Sequence, residues 1–178
     1  MLKLHKYMPD AARFLISFLV LFATFYGFNI GYIGITSPGG LYSPFLDQHF
    51  NYIALWRNLY ISTAAKILEL MGHVVYTTDI SLKVQGYSGF RLVYSCLGYG
   101  IISCFSAFVL SFPKPLQSRL KFLSVGLSLI LSLNLCRLIM IALFYNPQTT
   151  ILSVNHHDIF NAFLYIAILS ISYKWLKS

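Results

Sequence analysis

Apolar runs long enough to cross a membrane recur along this chain. The first covers residues 12–35 and carries no charged side chain after Arg13. About 20 apolar residues in helical conformation span the hydrocarbon core of a bilayer. Further runs occupy residues 96–112, 122–144 and 159–173. The segments between them follow other patterns. Residues 36–52 hold Ser37-Pro38-Gly39-Gly40 and Ser43-Pro44, which predict an exposed loop. Residues 53–71 mix apolar positions with Arg57, Lys66 and Glu69, so an amphipathic helix lying in the interface or re-entering it is expected rather than a full span. From His73 to Val93, β-branched and aromatic residues alternate with polar ones, which predicts a short outer β-hairpin.

The expected fold is therefore an all-α integral membrane helical bundle. It has about four transmembrane helices, an amphipathic interfacial helix over residues 53–71 and a hairpin-like segment, in one domain over residues 1–178. Composition agrees. With 57% hydrophobic and only 10% charged residues in 178 positions, a soluble core of this size could not hide the apolar surface.

The net charge of +8 could suggest nucleic acid, but the cations sit at the ends of apolar runs rather than in a stripe interleaved with aromatics. Lys3, Lys6, Arg13, Lys114, Arg119, Lys121, Lys174 and Lys177, eight of the 13 Lys and Arg residues, fall on one side if the first span starts in the cytoplasm. The positive-inside rule then makes both termini cytoplasmic, in the cytoplasmic (inner) membrane, and places residues 36–96 and the start of the last span outside. Three cysteines with no CxxC pair give neither a disulfide framework nor a zinc site. His49 and His73 are isolated and no HExxH spacing occurs, so no metal and no cofactor is expected.

Three places could carry chemistry. Arg137 lies inside a span, where an ionised side chain is costly unless it meets a polar partner or snorkels to the headgroups. It could bind a carboxylate, a carbonyl oxygen or a developing oxyanion. Cys96 stands where the outer segment becomes the second span, and a helix N-terminus favours a thiolate. The alternative for Cys96 is a small packing residue, the role expected of Cys104 and Cys136. His156 and His157 precede the last span at the same outer level, where an imidazole could take a thiol proton with Asp158 orienting it. Asp158 could also simply favour the helix start. A Cys, an Arg and a His in the outer half of one bundle are the parts of thiol acyl transfer. A non-enzymatic transport or assembly component, binding an anionic ligand through Arg137, is the alternative from another class.

The segments around these residues read Tyr94-Ser95-Cys96-Leu97-Gly98, Asn134-Leu135-Cys136-Arg137 and His157-Asp158-Ile159-Phe160-Asn161. In order, spacing and surrounding hydropathy the chain from about His73 onward resembles the exosortase/archaeosortase family. That family combines a Cys-containing, Gly-following segment after an outer β-like stretch, an Asn-x-x-Arg inside a later span and a His opening the last one. The resemblance implies a membrane cysteine peptidase or transpeptidase. Its substrates would be membrane-anchored exported proteins bearing a C-terminal sorting signal, made of a short motif, a hydrophobic helix and a basic tail. By the same resemblance Cys96 is the nucleophile, Arg137 the essential cation and His157 the acid/base. Asn134, Gly98, His156 and Asp158 would bind or support. Leu97 replaces the family's usual Ser, Asn161 its usual Gly, and Gly100 a position where many members carry a further Arg. These departures mark a divergent short subfamily.

Overall fold

A computed structural model describes residues 10–39, 41–144 and 156–177, with the side chains of 156–161 left outside the description. Among these residues the chain forms six α-helices and one small sheet. They gather into two compact units.

The first unit contains α1 (Asp10–Thr36), α2 (Pro44–Phe50), α4 (Tyr99–Ser111) and the beginning of α5 (Leu116–Phe144). Helix α1 has 27 residues, and an 18-residue stretch of it has a mean hydropathy of 1.8. At 1.5 Å per residue that is about 40 Å of helix, more than a hydrocarbon core requires. Apolar side chains leave it in every direction, with Leu15, Leu19, Val20 and Phe28 all exposed, as in a helix solvated by lipid. Two of its hydroxyls are satisfied within the helix: Thr24 and Thr36 donate to the carbonyls of Val20 and Tyr32, four residues back. One stripe is aromatic. Phe14, Phe18, Phe22 and Tyr26 stack at i, i+4 spacing, and Phe14 meets Phe108 and Phe112 of α4 edge-on at 6.0 and 5.8 Å.

The 36–52 segment, expected as loop throughout, holds the short helix α2 with Pro44 as its first residue, where the missing N–H costs no hydrogen bond. Tyr32 donates to the Phe50 carbonyl and Tyr42 to Asp47, so this helix is tied to α1 and to its own entry turn.

Helix α4 starts at Tyr99, three residues after the expected start of the second span, and ends before Pro113. Its 13 residues reach about 20 Å, short of a full bilayer crossing on their own. Arg119 turns back to donate to the Leu110 carbonyl at 2.6 Å, satisfying one of the last carbonyls of α4. That bond helps explain why α5 starts at Leu116, six residues before the expected span. With 29 residues and an 18-residue stretch of mean hydropathy 2.2, α5 joins α1 as a helix long and apolar enough to cross a membrane. Gly126 on α5 lies against the Phe105 ring so closely that a Cβ there would collide with it.

The second unit contains α3 (Tyr52–Leu70), the sheet, the rest of α5 and α6 (His156–Lys177). Asn51 caps α3 by accepting from the Ala54 N–H at 2.9 Å. Ile53, Tyr60, Ile61, Ala64 and Leu68 form its buried stripe, with Leu55, Leu59 and Leu70 exposed. This is the amphipathic helix expected over residues 53–71.

The segment predicted as a hairpin folds as a three-stranded antiparallel meander of β1 (Val75–Thr77), β2 (Ser81–Val84) and β3 (Phe90–Arg91). Val75 pairs with Val84 and Ser81 with Arg91. Alternation sorts the faces: Leu82, Val84 and Phe90 are buried, while Lys83 and Arg91 are exposed. Gly89, with φ +72°, passes so close to the Leu82–Lys83 backbone that no side chain would fit, and its N–H donates to the Ala142 carbonyl of α5 at 3.1 Å.

Candidate active site

Cys96 sits in a 3-10 turn, Tyr94–Leu97, between the sheet and α4. The turn is held at both ends. The Cys96 N–H bonds the Val93 carbonyl at 2.9 Å, Leu97 is fully buried, and Gly98 takes the left-handed conformation, φ +79°, that closes the turn. A residue with a Cβ is strained there, so the backbone at this position favours glycine. The expectation that Cys96 caps the second span needs revision. Helix α4 begins at Tyr99, so Cys96 stands in the turn before that helix and not at its first residue, and its own N–H is engaged by Val93.

The connection to α5 runs through Asn134, which is 2% exposed. Its Nδ2 donates to the Cys96 carbonyl at 3.0 Å, and its Oδ1 accepts from Arg137 Nη1 at 3.5 Å. Residues three apart share a helix face, so Asn-x-x-Arg spacing delivers both side chains to one side of α5. A buried amide without partners would cost about 1–3 kcal/mol. Here both of its functions are occupied, one by the Cys96 turn and one by the Arg137 guanidinium. Arg137 also lines a cleft of about 200 Å³ with Leu133, Cys136, Met140, Phe163 and Leu164, between α5 and α6.

Cys96 is half-buried and lines a separate groove of about 520 Å³ together with sheet residues and with Leu138 and Ile141 of α5. Cys104 and Cys136 are exposed on their helices and not packed inside as expected, and Cys136 lines the Arg137 cleft.

Helix α6 opens on His156, His157 and Asp158, so the sequence-predicted acid/base stands in its first turn. The side chains of these three, and of Asn161, lie outside the described residues. Phe163, in the Arg137 cleft, follows His157 by six residues, about 9 Å along the helix.

Two residues of α3 belong to the same unit and were not singled out from the sequence. Arg57 places its guanidinium 5.9 Å from the Tyr94 ring, at the outer limit of a cation–π contact with the Cys96 turn. Tyr60, 6% exposed, lies beside Trp56, Asn134 and Arg137, yet its hydroxyl is buried without meeting hydrogen-bond geometry to any of them. No sequence signal distinguished them: an Arg and a Tyr on an amphipathic helix are ordinary interface residues. Among the described residues no group of His, Cys, Asp and Glu is arranged to hold a metal ion.

Two helices long and apolar enough to cross a membrane, with a half-buried thiol in a groove whose turn is tied to a buried Asn–Arg pair, describe a helical membrane protein. The transmembrane exosortase family (Exosortase_EpsH) matches residues 26–173, and the chain belongs to that family. No curated protein and no solved structure matches it.

Proposed function

We propose that the protein is a membrane-embedded cysteine peptidase or transpeptidase that cleaves C-terminal sorting signals of exported proteins at the outer face of the cytoplasmic membrane. The observation that carries this is the hydrogen-bonded line from Arg137 through Asn134 to the backbone of Cys96, inside a member of the exosortase family.

In this mechanism the Cys96 thiolate, its proton taken by His157, attacks the scissile carbonyl. The C–N bond of the tetrahedral adduct breaks as His157 returns the proton to the leaving amine, and an acyl thioester remains on Cys96. A second nucleophile, water or an acceptor amine, then attacks the thioester and restores the thiol. Arg137, drawn toward the turn by Asn134, supplies positive potential for the oxyanion in surroundings where such charge is weakly screened. Asn134 positions the turn, and Gly98 lets the chain leave it. Four spans, cytoplasmic termini and an outward site would let the hydrophobic helix of the signal lie laterally against the bundle, holding its scissile peptide at the level of Cys96.

The test is labelling of Cys96 in intact cells with a membrane-impermeant thiol reagent, with Cys104 and Cys136 replaced. Labelling that slows in His157→Ala is expected. No labelling from outside, or a rate indifferent to His157, makes Cys96 a packing residue and favours an anion-binding component centred on Arg137.

A further inference from the structure

The groove beside Cys96 has a charge character that the catalytic proposal does not use. Ser81 pairs with Arg91 across β2 and β3, and Lys83 is two positions from Ser81, so these side chains share the exposed face of the sheet. Lys83, Arg91, Ser81 and Ser88 line the same groove of about 520 Å³ as Cys96 and Leu138. Among the described residues no carboxylate lines this groove, and neither Lys83 nor Arg91 forms an ion pair. Asp79, the nearest acid in sequence, stands in the turn before β2. Two cations and two hydroxyls flanking a thiol in a cavity of ligand size make a site complementary to an anion.

We infer that Lys83 and Arg91 form a specificity subsite that receives an acidic side chain of the substrate segment lying next to the bond presented to Cys96. The planar guanidinium of Arg91 suits a carboxylate with two oxygens, and Lys83 adds a mobile point charge. This deepens the peptidase proposal and rests on it for the choice of occupant, since substrate rather than lipid would sit against the reacting thiol.

The test needs no turnover. Full-length protein with Cys104→Ser and Cys136→Ser is placed in nanodiscs, and alkylation of Cys96 is timed in the presence of synthetic peptides. Each peptide carries a short polar segment with Glu, Gln or Lys at one position, followed by about 20 apolar residues and a basic end. The Glu peptide is expected to protect Cys96 at about tenfold lower concentration than the Gln peptide. Lys83→Gln/Arg91→Gln should abolish the difference, and Lys83→Glu/Arg91→Glu should transfer preference to the Lys peptide. Equal protection by all three peptides, or a Glu preference unchanged in both double variants, overturns the assignment. So does protection by anionic lipid alone that needs Lys83 and Arg91 while the Glu peptide has no effect, which would make the pair a headgroup site. Charge-selective protection without cleavage would leave the subsite standing and remove the peptidase function. Cleavage without charge selectivity would do the reverse.

Discussion

Asn134 Nδ2 and the carbonyl oxygen of Cys96, 38 positions apart in sequence, are joined by a 3.0 Å hydrogen bond. Through it, the helix that carries Arg137 fixes the backbone of the residue proposed to react. Asn134→Leu removes the donor to Cys96 and the acceptor for Arg137 together. A loss of about 1–3 kcal/mol in stability is expected, read by thermal unfolding in nanodiscs, with a changed alkylation rate at Cys96. If neither changes, the bond does not hold the turn.

Gly98 is required by its backbone rather than by space. Gly98→Ala places a Cβ at φ +79° and should destabilise the Cys96 turn by about 1–2 kcal/mol. Gly98→Asn, the residue that tolerates the left-handed region best after glycine, should recover most of it. Comparable losses for both would shift the explanation from dihedral strain to packing.

The contact of Gly126 with Phe105 makes a paired prediction. Gly126→Ala alone should destabilise by about 1–3 kcal/mol through overpacking, and Phe105→Leu in the same chain should relieve part of that cost. Additive effects in the double-mutant cycle would contradict the close approach.

Tyr60 separates stability from activity. Because its buried hydroxyl meets no hydrogen-bond geometry among the described residues, Tyr60→Phe should leave the unfolding temperature unchanged or raise it slightly, whereas Tyr60→Ala should cost about 3–5 kcal/mol. A Phe variant of full stability but reduced turnover would show that the hydroxyl finds its partner only when substrate is bound beside Asn134 and Arg137.

Much of this architecture is legible in the sequence because lipid imposes it. The runs that became α1 and α5 declare themselves by length and hydropathy, and Arg137 by its charge inside a span, whereas Asn134 was marked only by the family resemblance. Boundaries were less legible. Arg119 and Lys121 look like loop residues, but α5 begins before them, and Arg119 uses its charge on the Leu110 carbonyl. Strand β3, two residues long, is too short for any alternation to show, so a meander read as a hairpin. The 3-10 turn at Cys96 was folded into the following span because both are apolar. Only Gly98 marks the break. Helix rotation is absent from hydropathy altogether, which is why Arg57 and Tyr60 of α3 emerged only with the structure.

The most direct measurement of the central claim is the C-terminal processing of exported proteins in the native host, followed by mass spectrometry in strains carrying the wild-type chain, Cys96→Ala, Arg137→Ala or His157→Ala. The prediction is that the wild type releases hydrophobic C-terminal tails and that all three variants retain them. A Cys96→Ala strain that still releases the tails, while Arg137→Ala does not, would contradict thiol acyl transfer at Cys96.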